Sequence, residues 1–410
     1  MNLSVLALLA VFVLIAARRI GRLRVAIWQA MALGAVAVLA LGEIDAGTAL
    51  RAIDVDVMLF LSGMFIVGEA LVASGYLYAL AYRLFARIGS ADALVLAVLL
   101  VGGLSSALLM NDTLAIVGTP LALRLAREHD LPPRLMLLAL AFAVTTGSVM
   151  SPIGNPQNLL IAVHGGLPAP FLTFFAHLAL PTLIGLGLAY GVLRWMFRRE
   201  FHARRLTHAP VTVKDPALAR LARFALGLAI ALVLVKIALA AAAPRIEFRL
   251  SWIALGGALP LLLFSRRRLE LLRRVDWRTL TFFAAMFVLM ASVWRSGFLQ
   301  ELLAASAVDL KAPATVLSLS VALSQLVSNV PLAALYLPLL GGSAAAPEAL
   351  MALAAGSTLA GNLLILGAAS NVIIIQHAER HGATLTLLDF ARAGVPLTLL
   401  QLLVYWTFLI

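Results

Sequence analysis

The chain has 410 residues and is too apolar for an ordinary soluble protein, because hydrophobic residues make up 63% of it and charged residues only 12%. A soluble domain carries about 25% charged residues. No cysteine is present, which excludes disulfides and thiolate metal sites. The net charge of +12 does not indicate a nucleic-acid partner, since the basic residues fall in short loops between apolar segments.

Three clusters hold most of the 31 basic residues. They run from Arg18 to Arg24, from Arg194 to Arg223 and from Arg266 to Arg278. If all three clusters face the cytoplasm, the chain obeys the positive-inside rule, which relates loop charge to orientation. The sequence therefore predicts a multi-pass protein of the bacterial inner membrane, embedded in the lipid bilayer, with both termini in the periplasm.

Apolar segments long enough to cross a bilayer recur along the whole chain. In the first half we predict spans at 3–17, 25–42 and 55–75, a re-entrant hairpin at 92–127, a broken helix at 134–164 and a span at 170–194. In the second half we predict spans at 218–241, 250–264 and 277–295, a hairpin at 312–341, a broken helix at 346–378 and a span at 389–409. Amphipathic segments precede the hairpins at 76–88 and 297–310. The predicted fold class is an all-α polytopic membrane protein with about ten full spans and two hairpins.

The two halves resemble each other in sequence, which predicts an internal repeat. Equivalent residues recur in the same order as Asp54 and Asp276, Asn111 and Asn329, Gly154 and Gly367, Asn158 and Asn371, and His164 and His377. Asp54 begins a span on the outer face and Asp276 begins one on the inner face, so the repeats are predicted to be inverted, as in many secondary transporters. The domains are then N-terminal spans (1–42), repeat 1 (43–194), a basic cytoplasmic linker (195–217), connecting spans (218–264) and repeat 2 (265–410). Both histidines are expected at the membrane surface.

Four interruptions of apolar segments, one in each hairpin and each broken helix, carry asparagines. Lipid offers no hydrogen bonds, so such breaks are tolerated only inside protein or beside an aqueous cavity. Half-helix N-termini attract anions and free C-terminal carbonyls attract cations, which predicts one pocket near the midplane. The predicted substrate-binding residues are Asn111, Thr113, Asn155, Gln157, Asn158, Ser328, Asn329, Asn362, Ser370 and Asn371. The predicted ion-coupling residues are Asp112, Asn111, Gly154, Gly367 and Glu69. The alternative is that the breaks are packing kinks capped by asparagine.

Two carboxylates inside apolar segments stand out. An ionised carboxylate deep in a bilayer costs at least a few kcal/mol unless it is paired or hydrated. We therefore expect Asp112 to carry a proton or to bind Na⁺ transiently, although it can also cap the helix that begins at Thr113. Its repeat partner is Val330, so the two half-sites differ chemically. Glu69 is expected mid-span, as a proton relay or hydrogen-bonded to another helix, and Lys236 is expected to reach the membrane surface or to pair with Glu69.

The motifs also resemble a known superfamily of ion transporters over nearly the full chain from about residue 50. Asn111-Asp112-Thr113 leading to Thr119-Pro120 is similar to the hairpin of arsenite-efflux permeases, and 147–158 resembles bacterial anion or citrate permeases. The segment 361–372 resembles the same superfamily, which includes sodium–proton antiporters and sodium–dicarboxylate symporters. This resemblance implies a scaffold, a mobile transport domain that moves as an elevator, and a homodimer. The symporters carry Ser-Asn-Thr at each hairpin tip, whereas this chain has Met-Asn-Asp and Ser-Asn-Val, which argues against C4-dicarboxylates.

Three functions remain open from the sequence. The first is a secondary transporter, coupled to H⁺ or Na⁺, of a small oxyanion, carboxylate or arsenite-like solute. The second is a sodium–proton antiporter, and the third is an intramembrane enzyme, which is disfavoured because no catalytic motif is present. We expect no cofactor beyond the coupling ion and no resident metal. We assign ion coupling to the first half because it contains Asp112. We assign solute binding to the second half because it contains the neutral pairs Ser328–Asn329 and Ser370–Asn371.

Overall fold

The computed structural model describes residues 2–17, 19–20, 23–85, 88–201, 213–242, 248–298, 301 and 309–410. Within these ranges the chain is α-helical apart from short turns and one antiparallel pair of two-residue strands, Arg19–Ile20 and Leu23–Arg24. The predicted all-α class is therefore confirmed. Most of the amphipathic segment predicted at 297–310 and the middle of the basic linker lie outside the described residues.

The helices follow the predicted order. In the first half they are Leu3–Ala17, Ile27–Ala40, Ala46–Ala52, Val55–Ala73, Tyr76–Phe85, Ala91–Ser106, Asn111–Glu128, Pro133–Ser148, Pro156–His164 and Pro170–Met196. In the second half they are Pro216–Ala242, Leu250–Phe264, Arg268–Arg274, Trp277–Arg295, Pro313–Val327, Asn329–Leu340, Pro347–Leu363, Ala369–Arg380 and Leu387–Leu409, with 3₁₀ turns at Gly342–Ala344 and Ile365–Gly367. The short helices Ala46–Ala52 and Arg268–Arg274 were not predicted, because they are too short to give a span signal.

The helix surfaces fit a lipid environment. Five described helical stretches are long and apolar enough to cross a membrane, namely Val55–Ala73, Pro170–Met196, Pro216–Ala240, Trp277–Arg295 and Leu387–Leu409. Large apolar side chains stay exposed on several of these and neighbouring helices, among them Phe175, Phe264 and Leu403. Many large exposed apolar side chains on long apolar helices are what a surface that faces acyl chains requires.

The helices pack into two groups. The framework group consists of Leu3–Ala17, Ile27–Ala40, Val55–Ala73, Pro216–Ala242, Leu250–Phe264 and Trp277–Arg295, which contact mainly one another. The site group consists of both hairpins, both broken helices, Pro170–Met196 and Leu387–Leu409, which also contact mainly one another. Contacts between the groups are fewer and include the packing of Val55–Ala73 against Asn111–Glu128. The four interruptions thus lie in one body of helices.

Equivalent positions in the two halves adopt equivalent local structures. Asp54 and Asp276 each cap a 19-residue helix by accepting a hydrogen bond from the backbone N–H three residues later, at 2.7 and 3.1 Å. Each of those helices ends before a glycine with positive φ, Gly75 at +75° and Gly297 at +79°. Glycine adopts this conformation without steric cost. These matched starts and stops are what the predicted internal repeat requires.

The helix Pro133–Ser148 lies at the centre of the site group, and every residue from 135 to 148 is buried. It packs closely on the first arm of the first hairpin, because a methyl group at Gly147 would overlap the backbone of Gly103. Ser106 of that arm donates a 2.6 Å hydrogen bond to the carbonyl of Val144. Small residues allow this approach between helix backbones in membrane proteins.

Candidate functional site

The first broken helix stops at Ser148 and resumes at Pro156, and all the intervening residues are buried. Asn155 caps the second piece, since its Oδ1 accepts a 2.9 Å hydrogen bond from the backbone N–H of Asn158. Pro156 occupies the first helical position, where a missing N–H costs nothing. The sequence Asn-Pro thus starts a new helix inside the protein.

Asn158 closes the backbone of this first break. Its Nδ2 donates to the carbonyls of Ser148, Val149 and Ser151 at 3.1, 3.1 and 3.0 Å. A helix that ends inside protein leaves its last carbonyls without intrahelical partners. One side-chain amide therefore supplies the donors that the interrupted helix lacks.

The second break repeats part of this arrangement. The helix Pro347–Leu363 is followed by the 3₁₀ turn and then by Ala369–Arg380. Asn371 Nδ2 donates a 2.5 Å hydrogen bond to the carbonyl of Gly361. The repeat that pairs Asn158 with Asn371 also pairs Ser148 with Gly361, so the same bond occurs in both halves. No side chain caps Ala369–Arg380 at its N-terminus, unlike the first break.

Thr358 joins the two breaks. Its Oγ1 accepts hydrogen bonds from Asn155 Nδ2 at 3.2 Å and from Gln157 Nε2 at 3.1 Å. Further cross-packing brings the halves together, because Ala369–Arg380 packs against Asn111–Glu128, and Pro156–His164 packs against Asn329–Leu340. Thr358 thus links the polar residues of the first break to the helix that leads into the second, and the packing of each break on the hairpin of the other half completes one buried polar cluster.

The hairpin tips meet this cluster. The backbone N–H of Asn111 donates a 2.9 Å hydrogen bond to the carbonyl of Gly154 in the first break. Gln325, in the second hairpin, donates from Nε2 to the carbonyl of Ala360 at 2.8 Å, next to the second break. The second tip has unusual backbone, with φ of +67° at Ser328, a conformation that non-glycine residues adopt rarely.

Oxygen atoms predominate among the unsatisfied groups of the site. Among the described residues, the buried side-chain oxygens without a hydrogen-bond partner include those of Asn111, Thr145, Gln157, Gln325, Asn362, Ser370 and Asn371. Buried polar groups are otherwise paired in proteins, so a cluster of unpaired ones needs an explanation. Acceptor oxygens suit a cation or a solute that donates hydrogen bonds. No group of three or more His, Cys, Asp or Glu side chains able to hold a metal occurs in the described ranges.

Asp112 lies in the first turn of Asn111–Glu128 and is only part-buried. Within the described part of the chain it forms no ion pair, and the charge that acts on it is the like-signed carboxylate of Asp276. The neighbouring Thr113 packs against Gly68, where an added methyl group would come within 2.9 Å of Thr113 Cγ2. The carboxylate therefore sits where the site group meets the framework group.

The structure narrows the expectations for two residues: Glu69 forms a hydrogen bond to another helix but lies away from mid-span, and Lys236 has a partner other than Glu69. Glu69 is not mid-span but lies four residues before the end of Val55–Ala73, where its Oε1 is 3.3 Å from Nη1 of Arg274. The contact joins it to a basic helix that gave no span signal, which is why the sequence reading missed it. Lys236 does not pair with Glu69, because its Nζ donates to the carbonyl of Phe248.

Asn362 is held at the edge of the cluster by residues that the sequence reading did not select. Its Nδ2 donates to Thr146 Oγ1 at 2.9 Å and to Gln401 Oε1 at 2.8 Å, and Gln401 Nε2 donates to Thr146 at 3.0 Å. A signal for the separate contacts of Thr358 was available, since Thr145 and Thr358 are repeat partners in otherwise apolar helices. Gln325 and Gln401 lack such partners and could be found only from the structure.

Comparison with known proteins places the chain in a family. Residues 11–349 match the citrate transporter family, CitMHS. The chain belongs to this family. An uncharacterised transporter of Mycobacterium tuberculosis is 30% identical over 96% of this chain and 94% of its own length. The P protein of Homo sapiens is 26% identical over 84% of this chain and 52% of its own. These relationships confirm the predicted resemblance and a membrane transporter rather than an enzyme.

Two solved transporters have similar folds. The YdaH transporter of Alcanivorax borkumensis superposes with a TM-score of 0.61 at 18% identity, over 99% of this chain and 96% of its own. MtrF of Neisseria gonorrhoeae, described as one of a class of antimetabolite efflux pumps, gives 0.59 at 15% identity over 100% and 94%. At these identities the likeness concerns the fold alone.

Proposed function

We propose that this citrate transporter family member is a secondary transporter that couples H⁺ or Na⁺ to the movement of a small oxyanion, carboxylate or arsenite-like solute across the bacterial inner membrane. The observation that carries the proposal is the buried polar cluster around the two helix breaks, which lies beside a single carboxylate, Asp112. A polar site at broken helices in the middle of a bundle is the arrangement by which secondary transporters bind solute and ion together.

In this proposal the negative charge of the solute is balanced by the N-termini of helices rather than by basic side chains. None of the described residues assigned to the cluster is Lys or Arg, whereas four helices begin there, at Asn111, Pro156, Asn329 and Ala369. Helix N-termini present free N–H groups and partial positive charge, which favour carboxylates and oxyanions. A coupling cation on the unpaired amide oxygens would offset the remaining negative charge.

The separate packing of the framework and site groups supports an elevator movement, in which the site group carries solute and ion past the framework. Thr113 contacts Gly68, five residues before the end of Val55–Ala73, and the charge of Asp276 acts on Asp112. The Thr113–Gly68 contact and Asp276, which caps the start of Trp277–Arg295, both lie toward the face with the basic clusters. In this conformation the site is thus nearer the basic face, which we assign to the cytoplasm. The inverted repeats, the periplasmic termini and a homodimer remain parts of this proposal.

Uptake into proteoliposomes tests the proposal. Citrate, succinate, phosphate, sulfate and arsenite are offered with an inward H⁺ or Na⁺ gradient or with none. We expect at least one of these solutes to accumulate only when an ion gradient is imposed, and ionophores to abolish the accumulation. Ion-independent equilibration of every solute would contradict coupling.

The same assay addresses a second candidate, a sodium–proton antiporter. The observation that favours it is that the unpaired groups of the cluster are oxygen atoms, which suit a bare cation as well as a solute. Exchange of Na⁺ for H⁺ without movement of any offered solute would select this function over the first.

A further inference from the structure

A contact between His164 and Asp54 joins the site group to the framework group. Nε2 of His164, the last residue of Pro156–His164 in the site group, lies 2.8 Å from Oδ2 of Asp54. Asp54 caps the framework helix Val55–Ala73 at the same time, through its other oxygen and the N–H of Val57. The adjacent carboxylate, Asp56, is held by Ser251 and does not compete for the histidine.

The repeat places the same two residue types at the opposite end of the molecule. Asp276 is the repeat partner of Asp54 and caps the framework helix Trp277–Arg295. His377 is the repeat partner of His164 and lies in the last turn of Ala369–Arg380 in the site group. Each half therefore has a capping aspartate on the framework group and a histidine at the end of a broken helix.

Only one of these two pairs is formed. Both oxygens of Asp276 accept hydrogen bonds from Thr279, from its N–H at 3.1 Å and its hydroxyl at 2.6 Å. The ring of His377 forms no hydrogen bond or ion pair with another described residue, and the charges that act on it are those of Arg380 and His381. The structure is thus asymmetric at positions where the sequence is symmetric.

Inverted repeats give that asymmetry a specific meaning. In such transporters the two halves exchange conformations, so a contact formed in one half in one state is formed in the other half in the opposite state. We propose that His377 and Asp276 form the counterpart contact in a second conformation, in which Asp54 and His164 have separated. The inference rests on the proposed function, because it requires movement of the site group past the framework group.

The exposure of the first pair suits this role. The side chains of His164 and Asp54 are 44% and 16% exposed, so water replaces the lost contact when the pair separates. A polar contact that reaches solvent contributes little to stability and therefore presents a small barrier to repeated opening. One such pair at each end of the molecule can therefore stabilise one of the two conformations without preventing the change to the other.

Paired cysteines test the inference directly, since the chain contains none. The pairs are Asp54→Cys with His164→Cys, and Asp276→Cys with His377→Cys, each bridged by mercuric ion in membranes and read out as protection from maleimide labelling. The matched controls are the crossed pairs, Asp54→Cys with His377→Cys and Asp276→Cys with His164→Cys.

We expect both designed pairs to bridge and neither crossed pair to bridge. We expect each bridge to lower the transport rate at least tenfold. We also expect any condition that increases bridging of one designed pair to decrease bridging of the other. The inference is overturned if the Asp276–His377 pair never bridges while the Asp54–His164 pair does, or if both bridge in the same molecules.

Two further readouts keep the test independent of folding and of the proposed solute. Ile53→Cys with His164→Cys and Val275→Cys with His377→Cys repeat the experiment with both helix caps intact. If the two designed pairs bridge alternately but no offered solute moves, the existence of two conformations is supported and the proposed substrate class is contradicted. If solute moves but the second pair stays open, the proposed transport stands and this inference fails.

Discussion

The two helix breaks share a backbone arrangement but differ in how completely their polar groups are satisfied. In the first break Asn155 caps the new helix and Asn158 bonds three carbonyls. In the second break no side chain caps the new helix, Asn371 bonds one carbonyl, and the oxygens of Ser370 and Asn371 have no partner within the described residues. The comparison indicates a rigid first break and a second break whose side chains remain available to a ligand.

This difference agrees with the division of labour predicted from Asp112. A coupling ion needs a fixed geometry beside a carboxylate, and the first half supplies both. A solute needs hydrogen-bonding groups that are not already committed. The second half supplies the Ser370 hydroxyl, which can donate or accept, and the Asn371 amide oxygen, which can accept from a solute hydroxyl. We retain the assignment of ion coupling to the first half and of solute binding to the second as a hypothesis.

Replacing Asn158 and Asn371, one at a time, gives the largest expected difference in stability between the two breaks. Asn158→Ala removes two N–H donors that three buried carbonyls share, and at about 1 kcal/mol for each lost donor we expect a loss of about 2 kcal/mol. Asn371→Ala leaves one carbonyl, and we expect a loss of about 1 kcal/mol. Reversible unfolding of both variants in the same detergent measures the difference. Equal losses would contradict the claim that the first break is the more rigid one.

Glycine substitutions test the backbone that the breaks share. A methyl group at Gly154 would meet the carbonyl of Ser148, and one at Gly367 would meet the carbonyl of Ala360. We expect Gly154→Ala and Gly367→Ala each to destabilise the protein by about 1–3 kcal/mol, the usual cost of overpacking. Gly187→Ala is the control, because nothing lies within 4 Å of its added methyl group. Clearly unequal losses at Gly154 and Gly367 would show that the backbones are not equivalent.

The bridge between the breaks predicts a smaller effect. Thr358→Val removes the acceptor that Asn155 and Gln157 share, and we expect a loss of about 1–2 kcal/mol. Its repeat partner is the matched control, because the hydroxyl of Thr145 has no described partner, so Thr145→Val should leave stability nearly unchanged. The same unfolding assay measures both, and an equal loss at Thr145 would remove the special role of Thr358.

The sequence was sufficient to predict the fold class and most helix bounds, because Asn155-Pro156 and the apolar lengths act locally. It did not predict the depth of Glu69, since its partner Arg274 lies 205 positions away in a helix too short to give a signal. Gln325 and Gln401 were missed for a similar reason. A glutamine in an apolar helix is ambiguous until packing shows what it reaches.

The smallest expected effect concerns Glu69 and contrasts it with Asp112. The Glu69–Arg274 pair lies at the basic face with side chains 20% and 53% exposed, and exposed pairs contribute about 0–1 kcal/mol. We expect Glu69→Gln to retain ion-driven transport within about twofold of the unmodified protein. Loss of transport in a folded Glu69→Gln protein would restore the proton-relay role that the sequence left open.

The central claim, that ion coupling depends on Asp112, is tested most directly by the ion-gradient dependence of solute uptake in Asp112→Asn. The variant keeps a hydrogen-bonding group of the same size, so monodispersity and unfolding temperature should match those of the unmodified protein. We expect concentrative uptake to fall at least tenfold, and the residual movement to be the same with and without an H⁺ or Na⁺ gradient. Concentrative uptake by Asp112→Asn equal to that of the unmodified protein at every pH would contradict the account.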